Sequence, residues 1–157
     1  MFLRYFAELE HSAQDVVEAL LTAPNEWLAD VAQDSLGSGA RLSADVGLNL
    51  GRHRVQRHVD VSLGSPLELT RATIIPVQWV DHSRAALFPR LEADLEIASL
   101  GPRRSQLSTN VRYEPPFGPL GAIADRALLH RVAEATVKDF VDRVAKRVHQ
   151  QIVVEAR

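Results

Sequence analysis

The sequence predicts an α+β fold in which an antiparallel sheet is closed by one long C-terminal helix. Three observations predict it. Short runs between Phe2 and Tyr113 alternate apolar and polar residues with period two. A segment of helical period interrupts those runs once, near the start. After the break YEPPFGPLG, Tyr113 to Gly121, the stretch from Pro119 to Gln150 is helix-compatible.

The first run sets Leu3, Tyr5, Ala7 and Leu9 against Arg4, Glu8 and Glu10, which reads as a strand with one buried face. Ser12 then offers an N-cap, with Asp15 three residues on. Val16, Val17, Leu20 and Leu21 form the apolar side of a short helix, and Pro24 ends it. Asn25 caps a second short helix carrying Trp27, Leu28 and Val31, closed by Gly37 and Gly39.

Strands follow. Leu42, Ala44, Val46 and Leu48 alternate with polar or small neighbours, and a turn at Gly51 leads to Val55, Val59, Val61 and Leu63. Gly64-Ser65-Pro66 punctuates, and a β-rich run extends from Leu67 to Val80, with Pro76 requiring an edge or a bulge. The cleanest alternation places Leu91, Ala93, Leu95 and Ile97 inward, and Arg90, Glu92, Asp94 and Glu96 outward. After Gly101-Pro102, Leu107, Thr109, Val111 and Tyr113 face in. Short connections between half-buried strands imply an antiparallel meander.

The last segment has Pro119 in its first turn and acid-first pairs Glu134/Lys138, Asp139/Arg143 and Asp142/Lys146 at i,i+4. Its apolar stripe drifts from Leu128, Leu129, Val132, Thr136 and Phe140 to Val137, Val141, Val144, Val148 and Ile152. A helix lying across a twisted sheet requires such a drift. The alternative is an end that projects to meet a partner.

Composition narrows the function classes. With 157 residues, 46% hydrophobic and 24% charged, the chain reads as a single domain spanning 1–157. A net charge of −2 gives no global attraction to nucleic acid or anionic membrane. The absence of cysteine excludes disulfides, thiolate metal sites and a cysteine nucleophile. The start, MFLRYFAELEH, lacks the pattern of a signal peptide, and no apolar stretch is long enough to span a membrane. The expectation is a cytoplasmic protein, a monomer or homodimer.

Strand, two short helices, meander and long helix together make a helix-grip arrangement. Val61-Ser62-Leu63-Gly64, Leu87-Phe88-Pro89, Leu95-Glu96-Ile97, Tyr113 to Gly121, Asp125, Ala133-Glu134-Ala135-Thr136 and Phe140 resemble bacterial members of the START/birch-allergen/polyketide-cyclase (SRPBCC) superfamily. The resemblance covers nearly the whole chain and is most specific from Leu87 to Phe140. Below about residue 50 it rests on element order alone. It implies a strongly bent sheet wrapped around the C-terminal helix, with a cavity for an apolar ligand between them. Six strands are read where the superfamily has seven; division of the run at Pro76 would supply the seventh.

Strand parity sorts the candidate sites. The cluster RHRVQRH, Arg52 to His58, is split between two faces and lacks interleaved aromatics, so it reads as a solvated face rather than a nucleic-acid patch. Arg57 shares parity with Val55, Val59 and Val61, and a charge on that face must be paired or meet a polar ligand group. Arg71 shares a face with Leu69 and Ile75. The six histidines show no ligand spacing, so no metal is expected, and no cofactor is implied. Ser99, Ser105 and Ser108 lie at a strand end or on outward positions with no adjacent histidine, which argues against a nucleophile. Glu92, Asp94 and Glu96 point outward, leaving no carboxylate pair inside. Inward-facing Thr109 and Tyr113 either donate hydrogen bonds to a ligand or are satisfied within the core.

The function expected is binding of a hydrophobic small molecule (a polyketide, lipid or quinone-like compound) as carrier or sensor. The lining residues expected are Arg57, Trp79, Leu91, Leu95, Thr109, Tyr113 and Phe117 from the sheet side, and Leu129, Val132, Thr136 and Phe140 from the helix. Two alternatives stay open: an aromatase/cyclase-like enzyme, and a protein-interaction module using the C-terminal helix from Val141 to Ile152.

Overall fold

A computed structural model describes residues 2–45, 59–81, 90–113 and 126–156. Their order is β1 (Phe2–Leu9), α1 (Ala13–Leu21), a 3-10 turn (Pro24–Glu26), α2 (Leu28–Asp45), β2 (Val59–Leu63), β3 (Leu67–Glu68), β4 (Ala72–Asp81), β5 (Arg90–Gly101), β6 (Arg104–Tyr113) and α3 (Arg126–Glu155). The strands form one antiparallel sheet in the order β1-β6-β5-β4-β2, with β3 also paired to β4. The architecture is the α+β helix-grip, a curved six-stranded sheet with a long C-terminal helix.

Period-two patterning produces the sheet's buried face as expected. Leu3 and Leu9, Val59, Ile75, Val77 and Trp79, Ala93, Leu95 and Ile97, and Leu107 and Val111 are all buried in one core. From α3 the same core takes Ala133, Val137, Phe140, Val141, Val144 and Val148. The helix packs on α1, α2, β1 and β6 at once, so a broad, rotating stripe is buried rather than a narrow one. Val141, Val144 and Val148, which a protein-interaction role would need at a surface, are enclosed by the chain's own elements. Among the described residues of α3, the exposed large apolar side chains are Val153 and Val154 in its final turns. At about 1.5 Å per residue, α3 is ~45 Å long. No helix of the described residues is long and apolar enough to cross a membrane.

The first helix matches its capping signal, since Ser12 Oγ accepts from the Asp15 N–H at 3.1 Å. It ends before Pro24. Thr22 caps it through Glu18 O, Ala23 adopts a left-handed φ of 43°, and Pro24 opens the 3-10 turn.

Two element expectations and one set of ion pairs are corrected. Helix α2 is not short, and Gly37 and Gly39 do not close it; it runs 18 residues. Buried Leu28, Ala32, Ser35 and Leu36 give it a core-facing stripe, and Ser35 Oγ donates back to Val31 O at 2.9 Å. A glycine in a helix interior costs only about 1 kcal/mol against alanine, which burial of a neighbouring face exceeds. The strand expected at Leu42–Leu48 is therefore overturned for residues 42–45, where α2 continues, and residues 46–50 lie outside the described residues. Leu42, Ala44 and their neighbours are compatible with helix, and four alternating positions do not separate the two periods.

The second correction concerns Pro76, which does not divide the long run. The break falls at Leu69-Thr70-Arg71, and Pro76 sits inside β4. On its open side β2 has ended at Leu63↔Val77 and β3 begins at Leu67↔Ile74, so Pro76 faces the gap between them. The missing N–H is not needed there, and Pro76 O accepts from Gly64 N at 2.8 Å.

The third concerns the salt bridges of α3. Asp139–Arg143 forms at 2.7 Å, but Lys138 reaches forward to Asp142 at 2.5 Å instead of back to Glu134, which pairs with His130 at 3.3 Å. Arg143 also meets Asp34 at 3.2 Å, tying α3 to α2.

Candidate functional site

Strand register arranges the inner face in rows that cross the sheet. The first holds Trp79, Leu91 and Tyr113. The second holds Val77, Ala93, Val111 and Leu3, and the third holds Ile75, Leu95, Thr109 and Tyr5. Ala93 thus brings the smallest side chain to the centre of the middle row. Phe140 of α3 meets the first row, its ring edge-on to Trp79 with centroids 5.5 Å apart. Such edge-to-face pairs contribute roughly 0.5–1.5 kcal/mol beyond area burial.

Of the expected lining residues, Trp79, Leu95, Thr109, Val132, Thr136 and Phe140 are buried, and Phe140 of α3 meets Trp79 of β4. Leu91 and Tyr113 stand paired on β5 and β6 in the first row. Leu129 lies in the first turn of α3, and the side chains of Leu91, Tyr113 and Leu129 lie outside the described residues. Arg57 and Phe117 lie outside them entirely, as does the cluster Arg52–His58. Arg71 lines a cleft of about 500 Å³ between α1 and the β3–β4 connection, away from the inner rows.

The polar atoms of this layer divide into two groups. Thr136 Oγ1 donates to Val132 O at 2.8 Å, so its hydroxyl is satisfied inside α3. Trp79 Nε1 and Thr109 Oγ1 are buried without a hydrogen-bond partner, and so is Ser105 Oγ. Trp79 is 2% exposed and Thr109 0%. Leaving a buried polar group unpaired costs about 1–3 kcal/mol. Ser105 corrects the expectation of an outward or marginal position: second in β6, it has the parity of Leu107 and Thr109 and lies opposite Ser99 and Leu9. That parity was available in the sequence and would have found it.

Charge gathers at the margin where β1 meets α3. Tyr5 OH donates to Asp142 Oδ1 at 3.2 Å, Lys138 holds the other carboxylate oxygen, and the Lys138 ammonium lies 5.2 Å from the Tyr5 ring centroid. The hydrogen bond to Asp142 raises Lys138 above its ordinary pKa. A cleft of about 370 Å³ opens over this seam, lined by Leu3, Arg4, Tyr5, Arg131, Glu134, Ala135, Val137 and Lys138. A further cleft of about 370 Å³ lies on the sheet's outer face, beside exposed Phe2 and the Arg112 guanidinium 5.0 Å above its ring. His11 and His149, which the sequence leaves apart, share a 2.8 Å contact between Nε2 and Nδ1. Among the described residues no three His, Cys, Asp or Glu side chains cluster.

No protein-family model matches the chain, and no curated protein is significantly similar to it. Solved structures are. A conserved protein from Geobacillus kaustophilus superposes with a TM-score of 0.50 at 15% identity, covering 96% of this chain and 97% of that one. Ara h 8.0201 superposes with a TM-score of 0.51 at 5% identity, covering 98% of each chain. The fold is SRPBCC-like. The Zhui aromatase/cyclase from Streptomyces superposes less closely, with a TM-score of 0.48 at 12% identity over 100% of this chain and 96% of that one, and the assignment of the fold does not rest on it. What the SRPBCC-like fold contributes is the geometry above, a sheet face and a helix enclosing one apolar layer.

Proposed function

We propose that the chain is a single-domain carrier or sensor that holds a hydrophobic small molecule between the inner sheet face and α3. The observation that carries this reading is the pair of buried, unpartnered donors, Trp79 Nε1 and Thr109 Oγ1, set in the mainly apolar inner rows of the sheet. An apolar site with a few convergent polar groups is the usual chemistry of small-molecule recognition. Indole N–H is a donor only, so the group it awaits is an acceptor such as a carbonyl or quinone oxygen.

Register sets the scale of such a ligand. Trp79 and Thr109 are two strands and four residues apart, which places their Cα atoms on the order of 16 Å apart before sheet curvature shortens the path. A molecule meeting both is elongated, with acceptors near both ends and an apolar middle over Ala93. Polyketides, quinones with side chains and acyl lipids share that description. A carrier or sensor is favoured over a cyclase-like catalyst because the inner rows present hydroxyl, indole and aliphatic groups, and Asp142, the carboxylate that meets them at Tyr5, is held by Lys138.

Native mass spectrometry of the purified protein, with extraction of co-purifying compounds, tests the reading. The expected result is an acceptor-bearing apolar compound whose removal shifts the Trp79 indole N–H resonance, assigned with a Trp27→Phe variant. Repeated absence of any bound compound, together with no binding of a fluorescent apolar probe, would refute it.

A further inference from the structure

We propose that the seam between β1 and α3 binds the anionic end of an amphipathic carboxylate, with Arg4 and Arg131 as its charge partners. This rests on the reading above for the apolar part of the same ligand. Four charged side chains line the cleft at this seam, three cations and one carboxylate; Lys138 is paired with Asp142, and Glu134 lies 3.3 Å from the His130 ring nitrogen. Arg4 and Arg131 form no ion pair with any described residue. The seam is thus locally cationic on a chain whose net charge is −2.

The floor of the cleft is apolar, since Leu3 and Val137 lie buried beneath the charged rim. Leu3 is also the outer member of the row that contains Val111 and Ala93. Leu3 thus joins the apolar floor of the cleft to the middle row of the sheet. Arginine suits this place because its planar fork matches a carboxylate, and its weaker hydration lowers the loss on partial burial. The about 370 Å³ of the cleft accommodates a headgroup and the first carbons of a tail. A free single-chain amphiphile fits that size; a membrane surface does not require an apolar floor between two elements.

Titration calorimetry of the full chain with decanoate and with 1-decanol tests the inference, since the two differ only in the charged end. Decanoate should bind about tenfold or more tightly than decanol, in line with charge-assisted hydrogen bonds. The Arg4→Gln/Arg131→Gln variant should bind both alike, and Arg103→Gln, in the distant β5–β6 turn, should keep the preference. Added salt should narrow it. Equal binding by wild type with a shifted Trp79 indole resonance overturns the inference and leaves the interior reading standing. A preference that survives in the double variant also overturns it. Failure of both ligands to bind or to move the indole resonance removes both readings. Association with phosphatidylglycerol vesicles without binding of free decanoate assigns the arginines to a lipid surface and again overturns the proposal.

Discussion

Thr109→Val should stabilise the ligand-free protein while weakening ligand binding. Valine and threonine have nearly the same shape, so the substitution replaces one buried hydroxyl with a methyl group and leaves packing intact. Thr109 is fully buried on β6 between Leu95 and Tyr5 of the neighbouring strands, and its Oγ1 has no hydrogen-bond partner. Removing an unpaired buried polar group returns its desolvation penalty, about 1–3 kcal/mol, and valine adds a slight preference for the strand. For a domain of this size each kcal/mol raises the melting temperature by roughly 2–4 °C, so a rise of a few degrees is expected in calorimetry. Binding should change in the opposite direction. A neutral hydrogen bond made only in the complex contributes about 0.5–1.5 kcal/mol, so affinity for an acceptor-bearing ligand should fall roughly 2- to 13-fold. Thr136→Val supplies the contrast. Its hydroxyl already donates to Val132 O at 2.8 Å, so the variant should lose about 0.5–1.5 kcal/mol of stability. If Thr109→Val instead destabilises the apo protein by more than about 1 kcal/mol, the hydroxyl is satisfied in the native state, and the argument from unpartnered donors fails.

Three further outcomes test the fold that positions this layer. Gly37→Ala should raise stability by about 0.5–1 kcal/mol in urea denaturation, because a Cβ there meets nothing within 4 Å and α2 is continuous through it; a loss would mean that the helix does not run on to Asp45. Gly64→Ala should cost about 1–3 kcal/mol, since the added Cβ comes within 3.0 Å of Pro76 Cβ and strains the Gly64 N–Pro76 O bond; a neutral result would remove the account of how Pro76 is accommodated. Ser12→Ala should cost about 0.5–2 kcal/mol through loss of the α1 cap, with Ser12→Asp restoring most of it, and an unchanged melting curve for Ser12→Ala would show that α1 does not depend on the cap.

The structure separates what can be read locally from what cannot. The inner face of β5 and β6 was legible because each inward residue is followed by an outward one, and the pleat converts that alternation into burial, with outward Ser108 buried as well. The same parity put Trp79, Leu95 and Thr109 on the buried face of the sheet, and helical spacing put Val132, Thr136 and Phe140 on the buried side of α3. Parity says nothing of hydrogen bonding. Thr109 and Thr136 look equivalent in the sequence, yet one hydroxyl is unpartnered on a strand and the other is satisfied by a helix carbonyl four residues back. The extent of α2 was not legible, because Gly37, Gly39 and a short alternating run signal a break. Burial of Leu28, Ala32 and Leu36 against the rest of the core overrode those weak signals.

By itself, then, the sequence determined the α+β class, the antiparallel meander, the capped first helix and the long final helix. These follow from periodicity and turn chemistry, which act over a few residues. Tertiary structure alone decided where Pro76 sits, how far α2 runs and which side chains meet across the chain. Tyr5 reaches Asp142 and His11 reaches His149 over more than a hundred residues, and the β1–α3 seam exists only once the two ends of the chain are packed together. Contacts between distant segments depend on sheet order and helix placement, and no local spacing encodes them.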